Sequence, residues 1–476
     1  MRMYVRIAML FFIAVGTAAA DTIVLKSGRR IAATNVVEEG DRVYYETPAG
    51  RLSLRKAQVE RIERGGEGAS VWGEKTGLPI PELQIEAEEG FEDVVQATVV
   101  NGAIDRSYIL RLETQVQSSS PQAAKRAAVA HYSAAQFLAG KGRLEEGIEH
   151  YRRALTFAPD YLRALLNISQ LHLRKSEYSL ALEFLERAER MNPESADVAK
   201  MKGWAYYGQN KIEQAVREWK LAYSLRPDAD VERALAKAQR DEAAESEFKE
   251  GETRHFQMRY HGGAAPELAK EVLRTLERHF RAIESELNYT PPESIGVILY
   301  TERAFMDVTR APGWVAAAND GRIRVPVQGL TWVDPELSRV LRHELVHSFT
   351  GQKTRLRCPT WLDEGVAQFI EGSRIEPDAA AAFVRAYEEQ QRVLPLARME
   401  GTWMNLPGDA AATFYAWSLG VVEYLIRTYG MGDIERVLEA LNSEPSAEAA
   451  FRSIYRMDYS EIQQEAVKYL KRNYAQ

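Results

Sequence analysis

The sequence predicts a multidomain α+β protein with a small N-terminal β module, an α-helical solenoid and a C-terminal α+β domain. Short alternating segments separated by turn residues fill positions 21–63, which is typical of small antiparallel strands. Small residues and prolines recur at regular intervals through positions 128–229 and indicate a helical repeat array. From position 252 onward, apolar runs of strand length mix with long amphipathic helical patterns.

The length of 476 residues is enough for three or four domains. We place their boundaries where the sequence pattern changes. The predicted segments are a signal peptide at 1–20, a β-rich module at 21–63, a linker and ambiguous segment at 64–120, a repeat array at 121–240 and a C-terminal domain at 252–476.

The segment 1–20 has the features of a secretory signal peptide. Arg2 and Arg6 precede an apolar stretch at 7–15, and the run 18–20 is an alanine-rich cleavage motif. That apolar stretch is too short to favour a transmembrane helix. We expect export with cleavage after Ala20, to the periplasm or the exterior, and no stable membrane span afterwards. An uncleaved membrane anchor is the alternative.

Charge and cysteine content narrow the functional class further. The whole chain has a net charge of −7, and removing Arg2 and Arg6 with the signal peptide makes it −9. This acidic balance predicts no nucleic-acid partner. The single cysteine, Cys358, cannot form an internal disulfide, which is compatible with a bacterial periplasm.

The N-terminal module contains several short predicted strands joined by turns. The strand candidates are 22–25, 30–32, 42–47 and 51–54. Because turn residues separate them closely, we expect a small barrel or a curled sheet.

Small residues and prolines occupy equivalent positions of three repeat units. The aligned sets are Gly147, Ala181 and Ala215, then Ala154, Ala188 and Ala222, then Pro159, Pro193 and Pro227. The small residues let paired helices approach, and proline ends the second helix of each pair. The unit length is that of tetratricopeptide repeats, and such arrays present a surface that binds proteins. We therefore predict a protein partner on the array, with a rigid spacer as the alternative.

The segment His343-Glu344-Leu345-Val346-His347 has the pattern H-E-x-x-H. On a helix, residues i and i+4 share one face, so both imidazoles can reach one metal ion. Asp334 and Pro335 predict the start of that helix. Glu344 lies beside the imidazoles, where it can act as a general base on water at the metal.

A catalytic zinc usually has three protein ligands and one open position. None of the histidines in the sequence follows His347, which excludes a later histidine ligand. Glu364 is far enough beyond His347 for the first helix to end and for a second predicted helix to begin, and it lies in the first turn of that second helix. The sequence therefore predicts zinc (Zn2+) bound by His343, His347 and Glu364. Thr360 and Asp363 are the predicted capping pair of the second helix.

Three further polar or metal-binding residue types lie near Glu364 in the sequence. Gln368 and Glu371 follow on the same helix and are candidates to orient a zinc-bound imidazole. The alternative is an ordinary solvated helix face. We interpret Cys358, in the loop between the two helices, as a packing residue.

A strand pattern precedes the H-E-x-x-H helix. Residues 294–300 form an apolar run typical of a buried strand, and residues 322–327 alternate. Pro326 predicts an edge position for the second strand, because proline cannot donate a ladder hydrogen bond. Such an edge could add an extended peptide as a further strand, or be an ordinary sheet edge.

Several motifs together resemble the gluzincin clan of zinc metallopeptidases, most closely its peptidase MA-like members. They are the H-E-x-x-H segment, the stretch Pro-Thr-Trp-Leu-Asp-Glu-Gly-Val-Ala at 359–367, Tyr-Ala-Trp-Ser-Leu-Gly at 415–420 and Tyr-Gly at 429–430. The resemblance covers roughly the segment 252–476. It implies a zincin-like domain that hydrolyses peptide bonds in a protein or peptide substrate.

By the same resemblance, His343, His347 and Glu364 bind zinc and Glu344 is the general base. The resemblance also implies a tyrosine or a histidine that stabilises the oxyanion, and since no histidine follows His347 we assign Tyr415 to this role. The competing candidates are Tyr387, Tyr424 and Tyr429. A segment that recognises a free amino terminus, of the form G-x-M-E-N, is not found, which leaves endopeptidase activity open.

These observations predict an exported zinc-dependent metallopeptidase whose repeats recruit a substrate or partner protein. One rival is a catalytically silent tetratricopeptide adaptor or scaffold of the cell envelope. Another is an envelope assembly factor that keeps zinc for structure. The presence of His343, Glu344, His347 and Glu364 together favours catalysis, because a structural zinc usually has four protein ligands.

Overall fold

The computed structural model describes the chain in fifteen ranges. They are 20–25, 30–40, 42–47, 50–56, 59–66, 90–116, 120–261, 266–301, 304–305, 309, 317–327, 330–390, 394–401, 403 and 408–474. Residues 1–19 of the predicted signal peptide and residues 67–89 of the predicted linker lie outside these ranges. Within the described ranges, no helix is both long enough and apolar enough to cross a membrane.

The N-terminal module is a five-stranded antiparallel sheet, which confirms the predicted β module. Its strands are β1 (Ala20–Leu25), β2 (Arg30–Glu39), β3 (Arg42–Thr47), β4 (Gly50–Arg55) and β5 (Val59–Gly66). Their order in the sheet is β4-β3-β2-β1-β5. Gly40 adopts a left-handed φ of 61° in the tight turn between β2 and β3. Strand β5 extends past position 63, where the sequence pattern suggested that the module ends.

The segment from position 90 to position 116, which the sequence left ambiguous, caps the helical array. It contains α1 (Glu92–Thr98), a short hairpin of β6 (Val99–Val100) and β7 (Ala103–Ile104), and α2 (Arg106–Val116). Val94, Ile109 and Leu112 are buried in the same hydrophobic core as the repeats. The array therefore begins with these helices.

Seven consecutive helices form the predicted repeat array. They are α3 (Pro121–Gly140), α4 (Leu144–Phe157), α5 (Leu162–Arg174), α6 (Tyr178–Met191), α7 (Ala196–Gly208), α8 (Ile212–Leu225) and α9 (Ala229–Glu245). Close helix pairing explains the small residues of the repeat. A Cβ on Gly203 would lie 2.3 Å from the indole Nε1 of the buried Trp219.

The C-terminal domain is built around a mixed five-stranded sheet. Its strands are β8 (Lys249–Glu252), β9 (Phe256–Tyr260), β10 (Ile295–Tyr300), β11 (Ala318–Asn319) and β12 (Arg322–Pro326), in the order β11-β12-β10-β9-β8. β10 pairs in parallel with β9 and β12, whereas β8 and β11 pair antiparallel to their neighbours. The edge position predicted for the segment 322–327 is wrong. The chain forms β11 beside β12, so β12 is internal and Pro326 lies at its last position.

Helices cover this sheet and complete the domain. They are α10 (Pro266–Leu287), α11 (Pro335–Lys353), α12 (Thr360–Glu371), α13 (Pro377–Gln390), α14 (Gly408–Tyr429), α15 (Met431–Ala440), α16 (Ala447–Tyr455) and α17 (Tyr459–Tyr474), with a short 3-10 turn at Leu396–Met399. α11 begins as predicted, because the Asp334 side chain accepts a hydrogen bond from the Leu337 amide at 2.7 Å. The predicted capping pair of α12 is wrong, since Thr360 donates its hydroxyl to the Glu400 carbonyl oxygen.

Three turns of the array lie at equivalent positions of successive repeats, and the first and the third contact the C-terminal domain. Gly142, Ser176 and Asn210 have left-handed φ values of 76°, 58° and 59°. The Gly142 carbonyl oxygen accepts a hydrogen bond from Arg355 Nη1 at 3.4 Å. Asn210 Oδ1 accepts one from Arg322 Nη1 at 3.1 Å. The edge of the array formed by these turns is therefore a docking surface within the chain.

Glu293, which precedes β10, holds the middle of this edge. Its Oε1 accepts a hydrogen bond from the Ser179 amide at 2.6 Å, and its Oε2 accepts one from Ser179 Oγ at 3.2 Å. Gln209, on the next repeat, donates to the same Oε2 at 3.4 Å. Contacts across successive repeats thus fix the array on the C-terminal domain.

A buried ion network joins α9 of the array to β12 of the sheet. Arg322 and Arg324 are each 1% exposed, and both guanidinium groups bind the Asp241 carboxylate. Glu245 lies 3.4 Å from Arg322 Nη1 and 3.5 Å from Arg324 Nη1. Burial alone would raise the pKa of Asp241, but the two guanidinium groups outweigh it and lower that pKa. Buried charges are tolerated only when paired, so the two halves of the chain depend on each other.

Asp320, in the turn between β11 and β12, extends the network. Its Oδ2 accepts a hydrogen bond from Arg324 Nε at 3.0 Å and also binds the ammonium group of Lys237 on α9. Burial alone would raise the pKa of Asp320, yet Arg324 and Lys237 hold it well below its ordinary value. The turn before β12 is thereby attached to the array.

We expect Asp241→Ala to lower the free energy of unfolding by about 3–5 kcal/mol, because it removes the carboxylate that both buried guanidinium groups share and leaves only Glu245 and Asp320 to balance their charges. Urea unfolding at neutral pH measures this loss. Asp230→Ala, on the same helix but in a partly exposed ion pair with Arg233, is the matched control and should cost less than about 1 kcal/mol. Equal small losses in both variants would contradict a stabilising role for the network.

The wild type and Asp241→Ala should also differ in their pH dependence. Since the folded-state pKa of Asp241 lies below its ordinary value of 3.8, its contribution to stability is fully present above that value. The contribution is lost as the pH falls through the lower folded-state pKa. Urea unfolding across a pH series should therefore show a stability difference that shrinks in strong acid and is constant between about pH 5 and about pH 7, where an ordinary carboxylate no longer titrates.

Candidate metal centre

The two helices α11 and α12 bring the three predicted metal ligands together. His343 Nε2 and His347 Nε2 lie 3.1 Å apart. Glu364 Oε2 lies 3.4 Å from His343 Nε2 and 3.6 Å from His347 Nε2. All three side chains are buried. One turn of α11 separates the imidazoles, and α12 supplies the carboxylate.

This triangle of atoms fits a zinc ion. Zinc bonds of about 2.0–2.1 Å in a tetrahedron separate the ligand atoms by about 3.3–3.4 Å. The three observed separations, from 3.1 to 3.6 Å, lie around that distance. Two imidazole nitrogens and one carboxylate oxygen are also a donor set of catalytic zinc sites. The residues present therefore fit the predicted metal.

A carboxylate on α12 orients the first imidazole. His343 Nδ1 lies 3.0 Å from Glu371 Oε2, and Glu371 Oε1 accepts hydrogen bonds from Arg339 Nη1 at 3.0 Å and from Ser373 Oγ. Because an ionised carboxylate only accepts, Nδ1 of His343 carries the proton. In the neutral imidazole that binds a metal, the lone pair then lies on Nε2, which is the nitrogen nearest Glu364.

A second carboxylate orients the second imidazole. His347 Nδ1 lies 2.9 Å from Asp363 Oδ2, and Thr350 donates its hydroxyl to Asp363 Oδ1. This role of Asp363 was not predicted, because its position near the start of α12 indicated a helix cap. A carboxylate directly before the ligand Glu364 was the available signal. Each ligand histidine thus has its own carboxylate partner.

Gln368 contacts backbone carbonyl groups instead of the imidazole that the sequence suggested. Its Nε2 donates to the carbonyl oxygens of Glu364 and Tyr415, each at 3.2 Å. Gln368 therefore links α12 to α14.

Gly365 allows α12 and α14 to pack closely, because a Cβ at this position would lie 2.7 Å from the Ser418 carbonyl oxygen. The two helices can pack this closely only with glycine immediately after Glu364.

Glu344 is fully buried beside the ligand imidazoles. Within the described ranges, neither of its carboxylate oxygens has a hydrogen-bond partner. Burial raises the pKa of Glu344, while the imidazoles of His347 and His343 act in the opposite direction. A carboxylate with unused acceptor atoms and a raised pKa is suited to accept a proton from water.

The surroundings of the imidazoles favour positive charge. Burial alone would lower the pKa of His343, but Glu371 and Glu364 outweigh it and raise that pKa to about 9. Burial is likewise outweighed at His347, where Asp363 and Glu364 raise the pKa well above its ordinary value. The carboxylates that stabilise these protons would equally stabilise a divalent cation. The charges around the site and the distances between its ligand atoms therefore both favour a bound divalent cation.

Tyr415, the predicted oxyanion donor, lies on α14, which packs against α12. Its side chain is buried, and its ring meets Trp403 edge-on with ring centroids 5.1 Å apart. Two competing tyrosines contact each other, since the hydroxyl oxygens of Tyr424 and Tyr429 lie 3.3 Å apart. Tyr387 is partly buried on α13. The role of Tyr415 stays a prediction.

Two family models match this chain. Residues 313–472, which include the candidate metal centre, match the model of the Peptidase MA superfamily. Residues 138–197 and 166–230 match the model of the tetratricopeptide repeat. The chain therefore carries a Peptidase MA superfamily domain that follows tetratricopeptide repeats, and its fold is peptidase-like.

Three individual proteins are similar to part of this chain at low sequence identity. Sperm-associated antigen 1 from the mouse is 25% identical over 158 residues, which are 32% of this chain and 16% of the mouse protein. The N-terminal domain of stress-induced protein-1 from C. elegans is 18% identical, with 24% of this chain and 97% of that chain covered and a TM-score of 0.23. MamA from Desulfovibrio magneticus RS-1 is 19% identical, with 29% and 75% covered and a TM-score of 0.24.

We expect Glu371→Gln to weaken zinc binding by about 10- to 100-fold, because the amide no longer fixes the tautomer of His343. Competition with a chromophoric chelator measures the dissociation constant. Glu376→Gln, an exposed position just after α12, is the matched control and should bind zinc like the wild type. An unchanged dissociation constant for Glu371→Gln would show that this carboxylate does not support the ligand.

Proposed function

We propose that this chain is an exported zinc-dependent metallopeptidase of the gluzincin type. The observation that carries the proposal is the triangle of His343 Nε2, His347 Nε2 and Glu364 Oε2, with sides of 3.1 to 3.6 Å. Glu344, buried beside it with unused acceptor atoms, adds a general base. The match to the Peptidase MA superfamily supports the same reaction class.

The residues of the site have distinct roles in peptide hydrolysis. Zinc held by His343, His347 and Glu364 would supply Lewis-acid catalysis to a peptide carbonyl and to water. Glu344 accepts a proton from the attacking water, and its burial raises its affinity for that proton. Glu344 then delivers the same proton to the leaving amine. The two carboxylates behind the imidazoles keep the ligand nitrogens directed at the metal.

Tyr415 is the proposed donor to the developing oxyanion. A hydroxyl group aimed at that oxygen stabilises charge that exists only near the transition state. The support for this assignment is the position of Tyr415 on α14, which is held against α12 through Gln368. The competing pair, Tyr424 and Tyr429, has hydroxyl groups bonded to each other.

The repeat array is the proposed recruitment site for a protein substrate or partner. One edge of the array already binds the C-terminal domain through its turns at Gly142 and Asn210. Recruitment would therefore use the other faces of the helices. The signal-peptide pattern at 1–20 supports export to the periplasm or the exterior.

We expect the purified mature protein to contain about one zinc per chain and Glu364→Ala to lose most of it, since two imidazoles alone form an incomplete site. Elemental analysis of both proteins measures this. Glu376→Ala, exposed and outside the site, is the control and should keep its zinc. Full zinc content in Glu364→Ala would remove Glu364 from the ligand set.

Glu344→Gln should keep its zinc and lose peptide hydrolysis by about 10²- to 10⁴-fold, the contribution of a general base. The amide has nearly the same shape but cannot take the proton. Measuring kcat on a peptide library, beside the zinc content, checks this. Hydrolysis at the wild-type rate would show that Glu344 is not the base. A wild-type protein that binds zinc but cleaves no peptide would favour the adaptor or scaffold hypothesis.

A further inference from the structure

Asn319 connects the edge strand of the sheet to the helix that carries Glu344. Its Nδ2 donates to the backbone carbonyl oxygen of Glu344 and to Ser348 Oγ, each at 2.7 Å. Its Oδ1 accepts from the Gly321 amide at 3.0 Å, which fixes the orientation of the side-chain amide. The residue is only 5% exposed. A buried amide with both ends hydrogen-bonded holds strand β11 in one position relative to α11.

The next residue links the same turn to the repeat array. Asp320 binds Lys237 on α9 and Arg324 on β12. Asp241, one turn beyond Lys237 on α9, binds Arg324 as well. Polar contacts therefore run from α9 to Asp320 and from its chain neighbour Asn319 to the carbonyl group of Glu344.

We propose that Asn319 is a positioning residue for Glu344 and that α9 of the repeat array holds Asn319 in place. This inference rests on the proposed function, because it concerns the same general base. The hydrogen bonds that the Asn319 side chain donates go to the backbone of Glu344 and to Ser348, and not to the imidazole nitrogens of the metal ligands. It therefore sets where the Glu344 carboxylate lies relative to a bound substrate.

The array thus has a second role beside recruitment. Displacement of α9 moves Asp320, and Asn319 moves with it because the two residues are adjacent in one tight turn. Small misplacements of a catalytic group strongly reduce the rate. An array that is incorrectly packed would leave zinc bound while Glu344 lies out of place.

Hydrogen exchange of the full-length, zinc-loaded protein tests this coupling. We expect Asn319→Ala to speed amide exchange in the middle of α11, near Ser348, by roughly three- to tenfold, the effect of one lost hydrogen bond. Lys237→Met, a change on α9, should act in the same direction at that distant segment. Lys202→Met is the matched control, because Lys202 is also a lysine of the array paired with carboxylates but contacts Glu189 and Glu218 instead.

The double variant decides whether the two residues act through one series of contacts. If they do, Asn319→Ala combined with Lys237→Met exchanges no faster in α11 than Asn319→Ala alone. Unchanged exchange in Lys237→Met, or additive effects in the double variant, would overturn the proposal. Zinc content stays at the wild-type level in each variant if Asn319 only positions Glu344, and loss of zinc would also overturn it.

Activity provides a second readout. On a peptide that the wild type cleaves, Asn319→Ala should lower kcat by about tenfold and leave KM unchanged, because the base and not substrate binding is affected. Raised KM with normal kcat would contradict the positioning role. Exchange reports on the contact whether or not the chain cleaves peptides, so failure of the proposed function and failure of this inference give different results.

Discussion

The buried guanidinium groups of Arg322 and Arg324 are the constraint on which the arrangement of the two halves depends. Both lie inside the sheet of the C-terminal domain, yet Asp241 and Glu245, two of their carboxylate partners, come from the helical array. Buried charges without partners are strongly destabilising. Asp241 and Glu245 can neutralise the buried arginines of this sheet, which lies against the metal-binding helix, only when α9 is packed on it.

The metal centre also contains buried charged groups that depend on partners. Four carboxylates, those of Glu344, Asp363, Glu364 and Glu371, are buried around two imidazoles. Asp363, Glu364 and Glu371 each contact His343 or His347, whereas Glu344 is the one whose two carboxylate oxygens both have no hydrogen-bond partner within the described residues. This contrast separates groups that build the site from the one group left able to react. Burial strengthens all of these interactions, because electrostatic attraction grows in a low-dielectric interior.

Local patterns in the sequence were sufficient for the parts of the structure that depend on neighbouring residues. The repeat array follows from regularly spaced small residues and prolines, and the start of α11 follows from Asp334 and Pro335. Proximity of His343 and His347 follows from helix geometry alone. The remaining features depend on long-range packing. Asp363 contacts an imidazole on a different helix, and β12 is internal only because the two-residue strand β11, too short to show a periodic pattern, pairs beside it.

The equally spaced turns at Gly142, Ser176 and Asn210 restrict how this protein can evolve. Free tetratricopeptide arrays tolerate gain or loss of a unit, because each repeat contacts only its neighbours. Here the first and third of these turns bind different residues of the C-terminal domain, Gly142 binding Arg355 and Asn210 binding Arg322. A duplicated or deleted unit would move every later turn away from the residue of the C-terminal domain that it binds. We therefore expect the number of repeats in this chain to be constrained by its contacts with the C-terminal domain.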